Sequence, residues 1–194
     1  MIDVEKRRAV FVDRDGTINV EVDYLSKRED FVLIEGAADA IKLLNDAGFL
    51  VVVVTNQSGV ARGYFTEDDV MAVNDKMLFE LNVAGAFVDA VYYCPHHPDF
   101  GGEKYGIDCD CRKPKVGMIV KAQEEFEIDI SESFVVGDHK GDIELGKNAG
   151  AKTIHVLTGH GVEEGKKLEE AGVVPDHTSD NLLSAVQYIL DSKV

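Results

Sequence analysis

The sequence lacks several features that would place a protein outside the soluble globular class. It has only 3 cysteines and 4 prolines, and no stretch approaches the ~18 apolar residues that a membrane-spanning helix needs. The N-terminal region passes into a short β-like run without a secretory apolar segment. An odd number of cysteines argues against a complete disulfide framework. We therefore expect a soluble, cytoplasmic protein.

Positive charge is also scarce, and this limits the partners. The chain has 20 Lys and Arg residues against 36 Asp and Glu, for a formal net charge of -16. Such a surface repels polyanions, so we expect neither nucleic acid nor membrane as a partner. At 194 residues the chain is long enough to bury a sizeable core. We predict one domain over residues 1–194 that is a monomer.

Short apolar runs separated by helical segments predict the fold. Five runs rich in Val, Ile, Phe or Tyr have the length of strands, at residues 9–13, 50–55, 88–94, 134–138 and 153–157. Helices are predicted at residues 37–47, 66–82, 117–126, 142–149 and 179–190. Because strands that alternate with helices form parallel βαβ units, the predicted class is α/β with a doubly wound parallel sheet.

Polar motifs follow three of the predicted strands. The first strand ends in Asp-Arg-Asp-Gly-Thr at 13–17, the second in Thr-Asn-Gln-Ser at 55–58, and the fourth in Gly-Asp at 137–138. Open α/β sheets bind ligands at the carboxyl ends of their strands. Asp13, Asp15 and Asp138 together offer the oxygen ligands that Mg²⁺ prefers. Taken singly, each motif is also compatible with an ordinary polar turn.

Two further segments carry candidate ligands. Arg112 and Lys113 begin the densest positive run of an acidic chain, which suits phosphate binding, although a charge run is also typical of a solvated face. All three cysteines, Cys94, Cys109 and Cys111, fall in one loop region with two neighbouring histidines. Three cysteines and one histidine can form a tetrahedral structural zinc site. The spacing is not that of a standard zinc finger, and incidental cysteines are the alternative.

Taken in order, these motifs resemble the haloacid dehalogenase superfamily of phosphatases. The segments DRDGTINV, VVVVTNQSGVARGYFTE, YYCPHHP, CDCRKP and VVGD further resemble the branch of heptose bisphosphate and histidinol-phosphate phosphatases, over residues 8–160. The resemblance implies a Rossmann-like core. The stretches after Asp15 and Thr55 are too short for the large cap domain that members of this superfamily often carry, so we expect an open site beside a zinc-binding loop.

The resemblance also implies a mechanism. Asp13 is the nucleophile that forms an aspartyl-phosphate, and Asp15 is the general acid that later activates water. Thr55 and Lys113 hold the transferring phosphoryl group. Mg²⁺ is bound by Asp13, by the main-chain carbonyl of Asp15 and by Asp138.

Substrate recognition and zinc binding are implied in the same way. The expected substrate-binding residues are Glu21, Val22, Asp23, Tyr24, Asn56, Gln57, Ser58, Arg112 and His139. The expected structural zinc ligands are Cys94, His96, Cys109 and Cys111, and only the resemblance favours His96 over His97. His139 departs from the lysine usual at its position, and this leaves the substrate open.

The implied substrate is a small phosphorylated sugar, D-glycero-D-manno-heptose 1,7-bisphosphate, which would lose its 7-phosphate in nucleotide-activated heptose biosynthesis. Histidinol phosphate or another small sugar phosphate is the alternative within the same mechanism. A zinc-stabilised binding module without turnover is disfavoured because every group that the chemistry needs is present. A DNA 3′-phosphatase is disfavoured by the net charge of -16.

Overall fold

A computed structural model describes residues 6–192 of the chain, and its centre is a parallel sheet. The described strands are β1 (Ala9–Val12), β2 (Leu50–Asn56), β3 (Ala90–Cys94), β4 (Phe134–Gly137), β5 (Lys152–Val156) and β6 (His177–Ser179). Every neighbouring pair is parallel, in the order β3-β2-β1-β4-β5-β6. The chain thus winds outward from β1 in both directions, which confirms the predicted doubly wound α/β fold.

Seven α-helices connect or flank the described strands. They are α1 (Ala37–Asp46), α2 (Glu67–Val83), α3 (Gly102–Tyr105), α4 (Gly117–Phe126), α5 (Lys140–Ala149), α6 (Gly161–Glu170) and α7 (Leu182–Asp191), and a 3-10 helix spans Arg28–Asp30. The five predicted helices are present, with Thr66 as the cap of α2, but α5 begins two residues earlier and α7 three residues later than expected. Capping explains both shifts, because His139 caps α5 in a capping box with Asp142, and Asn181 caps α7.

The sheet is buried on both faces. Val10, Val12 and Val53 pack on one side with residues of α1, α2 and α7. Phe11 and Val52 pack on the other side with residues of α4 and α5. Each such side chain contributes roughly 1.5–3 kcal/mol when it is fully buried. Burial on both faces explains why the strands read as unbroken apolar runs and not as alternating patterns.

The strand order reverses at β1, which lies between β2 and β4. Ligands bind at such a switch point, beyond the carboxyl ends of the strands. The loops that follow β1, β2 and β4 meet there, and they carry the polar motifs described above. Among residues 6–192, none of the helices combines the length and the apolar character required to cross a bilayer.

Candidate active site

A cavity of about 490 Å³ opens at this switch point. It is lined by predicted residues from four parts of the chain: Asp13, Asp15, Glu21, Asp23, Tyr24, Thr55, Asn56, Gln57, Ser58, Arg112, Lys113, Asp138 and His139. Val22 is exposed and does not line the cavity. The structure therefore brings together all of the predicted catalytic residues and all but one of the predicted substrate-binding residues.

The floor of the cavity consists of Asp13, Lys113, Asp138 and Asp142, all of them buried. The three aspartates each offer a carboxylate oxygen within 4.8 Å of the others. Burial and the charge of Asp142 raise the pKa of Asp13 to about 7. Burial and the charge of Asp13 raise the pKa of Asp138 to about 8. A cation bound among these three crowded carboxylates would stabilise their charged forms.

Small residues leave space around the Asp138 carboxylate. A Cβ atom at Gly16 or at Gly159 would lie 2.3 Å from Asp138 Oδ2. The backbone N–H of His160 donates to the same oxygen at 2.8 Å, which orients the carboxylate. The buried carboxylates and the space beside them fit an oxygen-ligated ion such as Mg²⁺.

Lys113 provides the positive charge of the cavity floor. Its Nζ atom lies 2.8 Å from Asp13 Oδ1 and 2.6 Å from Asp142 Oδ1, and it donates to the carbonyl of Val54 at 2.9 Å. Burial acts to lower the pKa of Lys113, but the charges of Asp13 and Asp142 outweigh it and raise the pKa above its ordinary value. The lysine therefore stays charged beside Asp13.

Asp15 is not part of the carboxylate cluster, because other groups hold its side chain. Arg14 contacts both of its carboxylate oxygens. Asn19 Nδ2 donates to Oδ1 at 3.1 Å and Gln57 Nε2 donates to Oδ2 at 2.8 Å. Burial acts to raise the pKa of Asp15. The charge and the hydrogen bonds of Arg14, together with the hydrogen bonds from Asn19 and Gln57, outweigh burial and lower the pKa below its ordinary value.

The loop after β2 supplies polar groups beside the floor. Thr55 is fully buried, and its Oγ1 accepts a hydrogen bond from Gln57 Nε2 at 2.9 Å. The side chain of Asn56 exchanges two hydrogen bonds with the main chain of Lys113, at 3.1 and 3.2 Å. Asn56 thus joins the loop after β2 to the segment that carries Lys113, and its amide is occupied by protein.

The rim of the cavity is formed by Glu21, Asp23, Tyr24, Arg112 and His139, which are partly or largely exposed. The ring of Tyr24 packs edge-to-face on Tyr64, with 4.8 Å between ring centroids. Arg112 Nη1 donates to the carbonyl of His96 at 3.2 Å. Partial desolvation at the cavity mouth lowers the pKa of His139, and the charge of Glu164 acts against this shift.

Several cavity residues were not predicted from the sequence. Lys140 and Glu144 lie on α5, His160 precedes α6, and Glu164 and Lys167 lie on α6. The sequence of α6 contains two glycines and only two large apolar residues. Its helical periodicity is therefore weak, although its Glu and Lys residues lie three and four positions apart, as in Glu163, Lys166 and Lys167, and this spacing could have indicated the helix.

A second cluster is formed by the last residue of β3 and by the segment that leads from β3 to α4. Cys94, His96, Cys109 and Cys111 each offer a ligand atom within 4.8 Å of the others, and the three cysteines are free thiols. His97 does not belong to this cluster; its Nε2 lies 3.4 Å from Arg62 Nη2. The cluster has the composition of a structural zinc site and could hold a metal ion.

Comparisons with known proteins agree with this geometry. A family model described as HAD-hydrolase-like matches residues 110–185. The D-glycero-D-manno-heptose-1,7-bisphosphate 7-phosphatase of Chlorobaculum tepidum is 43% identical and covers 96% of each chain. The corresponding β-anomer phosphatase of Pasteurella multocida is 46% identical over 83% of this chain and 88% of the relative. The chain belongs to this family of HAD-like phosphatases.

Solved structures extend the comparison to the fold. A D,D-heptose 1,7-bisphosphate phosphatase from B. bronchiseptica, in complex with magnesium and phosphate, superposes with a TM-score of 0.83 at 31% identity, over 94% of this chain and 98% of that one. A HAD-like phosphatase from Mesorhizobium loti gives a TM-score of 0.79 at 37% identity, over 95% and 88% of the two chains. Both the predicted superfamily and the predicted branch are confirmed.

Proposed function

We propose that the protein is a Mg²⁺-dependent phosphatase that removes the 7-phosphate of D-glycero-D-manno-heptose 1,7-bisphosphate. The observation that carries this proposal is the cavity floor, where Asp13 lies 2.8 Å from the charged Lys113 and within reach of Asp138. A nucleophilic carboxylate beside a cation suits attack on phosphorus. The named substrates of the 41–47% identical relatives support the choice of sugar.

The reaction follows from the groups on the floor. A carboxylate oxygen of Asp13 attacks phosphorus, the bond from phosphorus to the sugar C7 oxygen breaks, and an aspartyl-phosphate forms. Lys113 and the hydroxyl of Thr55 contact the phosphoryl oxygens. Asp13 and Asp138, with the main-chain carbonyl of Asp15, would hold Mg²⁺, which neutralises charge on the phosphoryl group when it is bound.

Proton transfer is assigned to Asp15. In the free protein, Arg14, Asn19 and Gln57 lower the pKa of Asp15, whereas the negative charge of a bound phosphate acts in the opposite direction and favours the protonated form. The protonated carboxyl group gives its proton to the departing C7 oxygen, and the resulting carboxylate then takes a proton from the water that hydrolyses the aspartyl-phosphate. Asp15 thereby returns to its starting protonation state, and inorganic phosphate leaves. Gln57 and Asn19, which donate to Asp15, keep its carboxyl group near the floor.

The rim selects the sugar. Arg112 is suited to the distal 1-phosphate, because a guanidinium can bind phosphate through two parallel hydrogen bonds. Glu21, Asp23 and Tyr24 offer acceptors and an aromatic face to the hydroxyl groups and the ring of the heptose. The cavity volume of about 490 Å³ lies in the range typical of small-ligand sites.

We further propose that Cys94, His96, Cys109 and Cys111 hold a structural zinc ion. Zinc would fix the loop that also carries the His96 carbonyl, to which Arg112 donates. Its task is then to hold the rim and not to take part in phosphoryl transfer.

A substrate panel tests the proposed function. Phosphate release is measured with and without Mg²⁺ for heptose 1,7-bisphosphate, histidinol phosphate and a set of sugar monophosphates. We expect Mg²⁺-dependent turnover with the highest kcat/KM for the heptose bisphosphate. A preference for histidinol phosphate over every sugar phosphate would overturn the choice of substrate.

A further inference from the structure

A fully buried arginine connects the cavity to helix α2. The side chain of Arg14 has no exposed surface. Its Nε donates to Asp15 Oδ1 at 3.2 Å, and its Nη2 donates to Oδ1 at 3.1 Å and to Oδ2 at 2.9 Å. The remaining nitrogen, Nη1, donates to Asn74 Oδ1 at 2.8 Å. Asn74 lies on α2, is 7% exposed and does not line the cavity.

We propose that Asn74 is a positioning residue that acts through Arg14 to hold Asp15 in place for proton transfer. The inference rests on the proposed function, which gives Asp15 that task. A guanidinium is planar, and its donors keep fixed directions relative to one another. Once Asn74 fixes Nη1, the edge formed by Nε and Nη2 can face only one way, and that edge holds both oxygens of Asp15.

Burial makes this arrangement sensitive to Asn74. A buried charged group that loses a hydrogen-bond partner is destabilised, and it moves toward other acceptors if any are available. Without the amide oxygen of Asn74, the guanidinium of Arg14 would rotate to satisfy Nη1, and its contacts with Asp15 would change. Displacement of a catalytic group by a fraction of an ångström to 1 Å is enough to slow a reaction severely.

If Asn74 only stabilised the fold, its loss would slow hydrolysis of every substrate alike. Two substrates with different leaving groups therefore distinguish this structural role from the positioning role. A sugar oxygen is a poor leaving group that needs a proton, whereas p-nitrophenolate leaves as a stable anion. The ratio kcat/KM reports steps up to the first irreversible one, which here is formation of the aspartyl-phosphate. Misplacement of Asp15 should therefore lower kcat/KM for the sugar phosphate far more than for p-nitrophenyl phosphate.

The experiment compares Asn74→Leu, which removes the acceptor, with Asn74→Asp, which keeps an oxygen acceptor at the same position. The sugar phosphate that the wild type hydrolyses best and p-nitrophenyl phosphate are assayed at saturating Mg²⁺. For Asn74→Leu we expect the ratio of the two kcat/KM values to shift against the sugar phosphate by about tenfold or more, a part of the ~10²–10⁴ that general acid catalysis contributes. Asn74→Asp should keep this ratio within about threefold of the wild type, because the acceptor is retained.

Asn82→Leu is the matched control, because Asn82 lies on the same helix, is exposed and donates only to the carbonyl of Leu78. It should leave the ratio unchanged. If Asn74→Leu does not fold, as judged by circular dichroism, the smaller substitution Asn74→Ala is assayed in the same way. Equal losses on both substrates, or no loss, would overturn the inference. A wild-type protein without Mg²⁺-dependent turnover would instead overturn the proposed function.

Discussion

The floor and the rim of the cavity differ in the burial and the contacts of their side chains, and this difference corresponds to separate roles in catalysis and in substrate selection. On the floor, Lys113, Asp138 and Asp142 are 6%, 2% and 1% exposed, and short ion pairs connect Lys113 to Asp13 and Asp142. On the rim, Tyr24 is 46% exposed, and its neighbours come from loops. Charges on the floor act at low effective dielectric and interact strongly, whereas exposed charges are screened. We therefore expect changes on the floor to affect turnover and changes on the rim to affect substrate choice.

The largest effect is expected for Asp13→Asn on the floor. The amide keeps an oxygen for Lys113 Nζ and for the backbone N–H of Arg14, which donates to Asp13 Oδ1 at 2.7 Å, but it cannot form the aspartyl-phosphate. Mg²⁺-dependent phosphate release should fall by about 10⁴-fold or more, as for loss of a nucleophile elsewhere. Since one of three crowded carboxylates is removed, the melting temperature should not fall.

Steady-state assays and thermal melts of the same preparation check both expectations. Unchanged turnover in Asp13→Asn would remove Asp13 from the mechanism and with it the distinction between floor and rim. A folded variant without activity would support that distinction.

The substitution Arg112→Ala tests the role of the rim in substrate selection. If Arg112 binds the distal phosphate, kcat/KM for heptose 1,7-bisphosphate should fall by about 10- to 100-fold, the value of a charged hydrogen-bonded contact. The corresponding 7-monophosphate, which has no distal phosphate, should lose much less. Competition assays with the two substrates measure the change in preference directly.

Arg62→Ala is a suitable control, because Arg62 packs on Phe100 with 4.1 Å to the ring centroid and does not line the cavity. It should leave the preference for the bisphosphate intact. Equal losses of Arg112→Ala on both substrates would show that Arg112 contacts the transferring phosphoryl group and belongs with the floor.

The local sequence pattern around each residue explains which parts of the fold and the site could be predicted from the sequence. Asp13 and Asp138 directly follow β1 and β4, and Thr55 lies near the end of β2. These three could be located because each strand reads as an unbroken apolar run. Glu164 and Lys167 were missed because α6 has weak periodicity, and strand β6 has only 3 residues. The contact of Arg14 with Asn74 joins residues 60 positions apart, and no local pattern in either segment indicates it.

Two adjacent histidines provide a test of how the rim is held. His96→Asn should reduce zinc bound per chain, lower the melting temperature by several degrees and raise KM, because loss of a ligand releases the loop that holds Arg112. His97→Asn should keep the zinc, since His97 lies beside Arg62 and outside the cysteine cluster. Metal analysis, thermal melts and KM values are measured for both. Zinc loss in His97→Asn alone would reverse the assignment of the ligand.

The smallest effect concerns the pH dependence of stability in the absence of metal, to which Asp13 and Asp138 on the floor contribute the largest raised carboxyl pKa values. Because the pKa values of Asp13 and Asp138 are raised to about 7 and about 8, the folded protein binds protons that the unfolded chain releases. This contribution to stability is fully present below the ordinary carboxyl range near pH 4 and is lost as pH rises through 7 to 8. In EDTA, the melting temperature should therefore be a few degrees lower at pH 8.5 than at pH 6.

Addition of Mg²⁺ should reverse most of that loss at pH 8.5 and change little at pH 6, because protons compete with the cation for the same carboxylates. Asp13→Asn removes one of the titrating groups and should flatten the pH dependence in EDTA. His139→Asn, on the rim, should leave the slope above pH 7 in place. If Mg²⁺ raised the melting temperature equally at both pH values, Asp13 and Asp138 would already be ionised at pH 6, and the crowding of the floor would not control the protonation of these two carboxyl groups.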